Sequence, residues 1–209
     1  MTRRDLHGTR ETDLTLPSSA APFLRGVGRF DLAIRTAMSA DRESYRHVSD
    51  LLQIASSRTV VLTALSALWA NGLRQRNATR ISAARQSVFA ILLGAVATKG
   101  IKRILRRKRP NEDNDPHQWR LADGPRGSFP SGHATTVGAL GTVIGLRRGV
   151  GPSTALSAGF AVAICWSSVG ADRHWLSDLI GGLVVGAGAG LASQAMERSL
   201  TRRRRARSD

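Results

Sequence analysis

Three short stretches of this 209-residue chain hold residue types able to grip an anion and move a proton. The first runs from Lys102 to Arg109 and ends at Pro110, a residue that stops or kinks a helix. On a straight helix Lys102 and Arg109 lie nearly two turns apart on one side, so a break near Pro110 would turn both cations onto one anion. The second is Phe129-Pro130-Ser131-Gly132-His133, at the head of an uncharged helix. Free N–H groups at a helix N-terminus bind anions, Gly132 lets the backbone come close, Ser131 adds a hydroxyl donor, and His133 exchanges a proton near neutral pH. The third spans Asp172 to Asp178, where His174 and Asp178 stand four residues apart. On a helix they share a face, so the carboxylate can hold one imidazole nitrogen and leave the other basic and turned outward.

Each fragment taken alone has a plainer reading. The first is also a basic stop-transfer cluster, the second an N-cap serine with a solvent-facing histidine, the third a helix-capping Asp–His pair. Their joint placement argues for more, because each sits at the edge of an apolar run and polar groups gathered there mark function by default.

The apolar runs are the elements that must position these residues. Gly149–Ala171 is 23 residues without a charged side chain, which at about 1.5 Å per residue crosses a hydrocarbon core of about 30 Å. Leu179–Met196 is an uncharged run of 18 that spaces Gly182, Gly186 and Gly190 four apart, a stripe that lets helices approach closely in lipid. Leu51–Leu73 contains only Arg58, Ile81–Thr98 only Arg85, and Ser128–Leu146 only His133 as a titratable group. Arginine stems near a helix end can snorkel. The pattern predicts an all-α fold, a polytopic membrane helix bundle of about five spanning helices. A soluble protein with buried Ala- and Gly-rich helices is the competing architecture, and the two long uncharged runs argue against it. The first two clusters occupy one loop, and two further spans return the chain to the same face before His174, so all three can meet.

The ends differ from this centre. Residues 1–50 are rich in charge and lack the apolar segment and cleavage site of a secretory signal. Within them Val27, Phe30, Ile34 and Met38 recur beside Arg25, Arg29 and Arg35, the pattern of an N-terminal amphipathic helix on the lipid interface or on a protein surface. Arg202 to Arg205 with Arg207 form a basic tail. The organisation expected is a polar N-terminal segment 1–50, a membrane domain 51–197 and an Arg-rich tail 198–209. Net charge is +16, which points to phosphate-bearing partners, and the mean hydropathy of −0.16 averages Arg-rich and charge-free segments. A nucleic-acid partner is not expected, since no recognition motif or aromatic platform accompanies the basic residues. One cysteine, Cys165, excludes an intramolecular disulfide and a Cys-cluster metal site.

Together the clusters resemble the type 2 phosphatidic acid phosphatase family, related to vanadium haloperoxidases and bacterial lipid-pyrophosphate phosphatases. Its pattern is Lys, six residues, Arg-Pro; then Pro-Ser-Gly-His; then Ser-Arg, five residues, His, three residues, Asp. Lys102, Arg109 and Pro110 match the first part, Pro130 to His133 the second, and Ser167, His174 and Asp178 most of the third. The resemblance covers roughly residues 51 to 197. It implies that Lys102, Arg109, the Ser131 hydroxyl and the Gly132 amide cradle phosphate. It further implies that His174, oriented by Asp178, attacks phosphorus to form a phosphohistidine, and that His133 protonates the leaving group. No metal or other cofactor is required, the cations neutralising charge in its place, and the substrate would be a membrane lipid phosphate or prenyl pyrophosphate.

One position departs from the pattern: Ser168 stands where the family has an arginine that holds phosphoryl oxygens. Arg173 and Arg126, close by in sequence, are the residues expected to supply the missing charge. The departure also favours a different class of protein, a catalytically degraded one that binds lipid phosphate without hydrolysing it. A vanadate-dependent haloperoxidase is a third reading, set against the membrane character of the chain. The distribution of Lys and Arg, once residues committed to phosphate are discounted, favours an extracytoplasmic site and a cytoplasmic tail in the cell membrane.

Overall fold

The computed structural model describes residues 21–38, 42–112, 114, 116, 119–121 and 127–206. Seven helices appear among them: α1 (Ala21–Ala37), α2 (Arg42–Ala55), α3 (Arg58–Arg74), α4 (Ala78–Ile104), α5 (Gly132–Arg148), α6 (Pro152–Gly170) and α7 (Leu176–Arg205). Two three-residue strands, β1 (Leu105–Arg107) and β2 (Trp119–Leu121), pair antiparallel in the loop between α4 and α5.

The five apolar runs become α3 to α7. Helices α4, α6 and α7 are long and apolar enough to cross a membrane, and α2 with α3 makes a fourth crossing if that bent pair is one span. The seventeen-residue α5 packs among α4, α6 and α7. Small and polar residues fill the interior, with Ala84, Ala90, Ser87, Thr98, Ala134, Thr135 and Ala139 buried. Large apolar ones such as Leu92, Val96, Leu156, Val162, Val184 and Leu191 face outward. A protein folded in water places these classes the other way round, so the arrangement is that of a bundle whose solvent is lipid.

The glycine stripe works as its spacing predicts. A Cβ at Gly182 would stand 2.5 Å from the Ser131 carbonyl oxygen on the α5 side, at Gly190 it would stand 2.7 Å from Thr142 Cβ, and at Gly186 it would run into the Thr135 carbonyl. Helices α5 and α7 therefore touch backbone to backbone, and Thr98 donates to Thr135 at 3.1 Å to tie α4 to the same pair. At the far end Glu197 accepts from Arg85 at 2.5 Å and from Ser82 at 2.9 Å. Arg147 reaches Gln86 at 2.8 Å. The lone charge of Arg85 is thus paired with a carboxylate and does not snorkel.

Three expectations need correction. The Leu51–Leu73 run is not one helix: it breaks at Ser56-Ser57, where Ser57 caps α3 and the axis bends by 40°. Helix α4 does not continue toward Pro110 but ends at Ile104, and the chain turns extended through Arg107. The cause is Arg107 itself, whose side chain is drawn inward to two buried carboxylates while its carbonyl accepts from Ser128 N–H at 2.7 Å. Helix α1 forms as the periodicity predicts, but Arg35, read with Arg25 and Arg29 as one polar face, turns inward while those two stay exposed. Asp31 is 1% exposed, held by Arg107 and Ser177, and Arg35 bonds Asp172 at 2.7 Å.

Candidate active site

The C-terminal end of α4 and the N-terminal ends of α3, α5 and α7 meet on one side of the bundle around a cavity of about 630 Å³. His133 and His174 both line it, with Lys102, Arg109, Gly132 and Arg58. Local structure explains each placement. Ser131 caps α5, so Gly132 and His133 open its first turn. The α6–α7 junction turns at Asp172, with φ of 54°, while the N–H groups of Arg173 and His174 both donate to the Ser168 carbonyl, and this sets His174 just ahead of α7. Lys102, in the last turn of α4, reaches across to the Gly127 carbonyl.

Asp178 is fully buried and its oxygens are saturated. Oδ1 accepts from Arg107 Nη1 at 2.9 Å; Oδ2 accepts from Trp175 N–H at 3.0 Å and from the Ser128 hydroxyl. Its approach to His174 Nδ1 is 3.6 Å, beyond a hydrogen bond. Ser128 fills the gap, its Oγ lying 3.2 Å from the same nitrogen. The single hydroxyl proton goes to the carboxylate, so the oxygen lone pair takes the Nδ1 proton, and the order is His174 to Ser128 to Asp178. The pairing expected from the four-residue spacing is present at ion-pair and not hydrogen-bond distance, because His174 precedes the helix. With Nδ1 engaged, Nε2 is the nitrogen left for the cavity. Burial holds the His174 imidazole below its ordinary pKa, outweighing the raising effect of Asp178, and the charges of Arg109 and Lys102 push the same way.

Arg107 is the largest omission of the sequence reading, where it was one cation in a basic cluster. It is 1% exposed and bonds Asp178, Asp31 at 2.7 Å, Ser177 at 2.7 Å and the Pro116 carbonyl at 2.8 Å. Its guanidinium also lies 5.2 Å from the centre of the buried Trp175 ring. Ser128 was missed as well, having no motif to mark it. Arg58 was read as a snorkelling residue and instead lines the cavity.

Of the other residues singled out, Ser131 is fully buried as a helix cap and does not line the cavity. Arg173 is bonded to Asp50 on α2 and lies outside the lining. Arg126 falls outside the described residues. Ser168 is buried at 2% exposure. Among the described residues no group of three His, Cys, Asp or Glu side chains is placed to hold a metal ion.

Comparison with known proteins agrees with this architecture. The chain is similar in fold to a transmembrane PAP2-type phosphatidylglycerolphosphate phosphatase from Bacillus subtilis, at 15% identity and a TM-score of 0.54, over 87% of this chain and 95% of that one. It is also similar to Aquifex aeolicus LpxE, at 21% identity and a TM-score of 0.50, over 83% and 93%. Among curated proteins none matches at the sequence level. Residues 83–202, more than half of the sequence and all three clusters, match the PAP2 superfamily, and the chain belongs to that family.

Proposed function

We propose that this protein hydrolyses a phosphate monoester or pyrophosphate on a membrane lipid, without a metal ion, through a phosphohistidine on His174. The observation that carries the reading is the convergence of two histidines on one cation-lined cavity at the end of a lipid-facing helix bundle. Lys102, Arg109 and the free N–H groups opening α5, Gly132 among them, hold the phosphoryl oxygens and stabilise the charge they gather in the transition state. The His174 Nε2 lone pair attacks phosphorus, the P–O bond to the lipid breaks, and His133, whose pKa burial and the nearby cations hold at about 4 until the bound phosphate anion raises it, gives its proton to the departing oxygen. His133 then takes a proton from water, the water oxygen bonds to phosphorus, and the P–N bond breaks to free inorganic phosphate and restore His174. Asp178 and Ser128 stay hydrogen-bonded, holding the tautomer and offsetting the positive charge on imidazole. The catalytic unit is residues 51–197, buttressed by α1.

Sidedness follows from the same residues. Arg107, Lys102 and Arg109 are committed to carboxylates or to the cavity, so they do not count as free cytoplasmic charge, whereas Arg147, Arg148 and the tail lie at the opposite end. This charge distribution supports an extracytoplasmic site in the cell membrane. A second reading, lipid phosphate binding without hydrolysis, rests on Ser168.

The test is phosphate release by detergent-solubilised protein in excess chelator, offered phosphatidylglycerol phosphate, phosphatidate and prenyl pyrophosphates. Wild type is expected to turn over at least one of them and His174→Ala none. Loss of turnover on chelation removes the metal-independent mechanism, and binding with no release in the wild type favours the second reading.

A further inference from the structure

We infer that Arg58, the first residue of α3, is a phosphate-holding residue of this site, gripping a phosphoryl oxygen from the side of the cavity opposite α7. The inference rests on the phosphatase reading for its substrate, a phosphate monoester or pyrophosphate, but not for its geometry.

Arg58 lines the same cavity as His133 and His174. A Cβ built on Gly132 would stand 3.0 Å from Arg58 Nη2, so the guanidinium lies directly over the backbone that opens α5. Donors of both kinds, a planar guanidinium and helix N-terminal N–H groups, thus face one spot, the arrangement that suits a tetrahedral oxyanion. The absence of a side chain at Gly132 is what admits the guanidinium.

Arg147 at the far end is held by Gln86 and Ser82, and four of the arginines that are at least half-buried have anionic partners: Arg35 has Asp172, Arg85 has Glu197, Arg107 has Asp31 and Asp178, and Arg173 has Asp50. Among the described residues Arg58 has none, although it is half-buried and sits in an electrostatic cluster with Lys102 and Arg109. Gathering three cations around one cavity is unfavourable unless an anion joins them. The bend at Ser56-Ser57 also acquires a purpose, because a continuous helix would carry residue 58 in mid-span, and the break puts it at a helix start facing the α5 terminus. Ser168, buried on α6, is not among the residues lining the cavity and brings no charge to it.

The experiment compares wild type with Arg58→Gln, Arg58→Lys and, as a control at the far end of α5, Arg148→Gln. It measures kcat and KM on the best substrate, affinity for inorganic phosphate by calorimetry, and recovery of Arg58→Gln by added guanidinium ion. Arg58→Gln is expected to lose about 100- to 1,000-fold in kcat/KM, as when one oxyanion donor is removed. It should also bind phosphate more weakly and regain part of its turnover with guanidinium, while Arg58→Lys keeps part of both and the control keeps all. His174→Ala separates the two proposals. If it is dead while Arg58→Gln retains wild-type kcat/KM and phosphate affinity, Arg58 has no such role and the phosphatase reading stands. If no lipid is hydrolysed by wild type but phosphate binds and Arg58→Gln weakens it, the phosphatase reading falls and the assignment of Arg58 stands. A loss of activity with unchanged phosphate affinity and no recovery by guanidinium or lysine marks a structural role and overturns the inference, as does a wild type that binds no phosphate. Should Arg58→Gln fail to fold, Arg58→Lys decides by the same phosphate titration: a partial loss of phosphate affinity and of kcat/KM supports the assignment, and wild-type values of both overturn it.

Discussion

At the scale of single residues, the proposed chemistry depends on a short line of hydrogen bonds that ends in a buried carboxylate. Ser128 is the middle of that line, and Ser128→Ala leaves His174 Nδ1 and Asp178 3.6 Å apart with nothing between them. Losing one hydrogen bond to a charged group is worth about 1.5–3 kcal/mol. That corresponds to a drop of about 10- to 150-fold in kcat, with KM little changed. Steady-state kinetics on the variant check this. The pH profile is a second prediction. A nucleophilic imidazole must be unprotonated, and burial keeps His174 so at pH values where an exposed histidine already carries its proton. The acid limb of kcat/KM attributable to His174 is therefore expected below the ordinary histidine pKa of about 6.5. Read as stability, the sign is the same: the unfolded chain binds the proton first, so folding weakens as pH falls through about 6.5 and on toward the lowered value. Arg107 has the largest structural weight of any side chain near the site. Arg107→Met abandons two buried carboxylates at once, Asp31 and Asp178, and breaking a buried pair in this way costs about 3–5 kcal/mol. A fall in the thermal midpoint in detergent, larger than that of Arg109→Met, is the expected result.

Among the helices, the pairing of α5 with α7 matters most because each carries half of the site: His133 opens one and Asp178 sits in the first turn of the other. Their contact is set by glycines on a single face, which allows a paired prediction on one helix. At Gly186 an added Cβ meets the α5 backbone, whereas at Gly188 it meets nothing within 4 Å. Gly186→Ala is expected to force the helices apart, with a cost of about 1–3 kcal/mol and a marked loss of turnover. Gly188→Ala should be neutral or stabilise by up to about 1 kcal/mol. Thermal unfolding and activity of the two variants decide it; equal effects would mean that the backbones do not touch as described. This stripe was legible in the sequence because close approach admits one residue type and helical geometry dictates its spacing. The path from Lys102 to Arg109 was not. Reading it as helix used local propensity alone, and what ends α4 early is a pair of carboxylates, Asp31 and Asp178, lying 76 and 71 residues away along the chain. Arg107 and Arg58 were misjudged for the same reason. A charge's partner is a tertiary fact, and neither a basic cluster nor an isolated arginine declares whether it faces water, a carboxylate or a substrate. Motif spacing did identify the two histidines, Lys102, Arg109 and Gly132 as neighbours, since all but Arg109 sit at or next to helix ends.

For the whole molecule, the arrangement predicts that the cavity and the basic C-terminal end face opposite sides of the membrane. Helix α7 begins at the cavity and ends in the arginine tail, and α5 runs the same way from His133 to Arg148. Protease digestion of oriented vesicles should cleave a site inserted after Arg198 from one side only, while a cysteine placed at Glu112, on the cavity rim, should react with an impermeant reagent from the other. Reaction of both from one side would contradict the fold. The residue linking α1 to Asp178 has a further consequence for anyone trimming this protein. Removing the first 38 residues takes away a buried hydrogen-bond acceptor as well as a polar segment, since Asp31 accepts from both Arg107 and Ser177 in the interior. The shortened polypeptide would keep every motif residue, yet Arg107 and Ser177 would each be left with buried donors that have lost their acceptor beneath the proposed nucleophile, so its weakened state would be repaired by an acceptor restored at that place and not by more lipid or detergent.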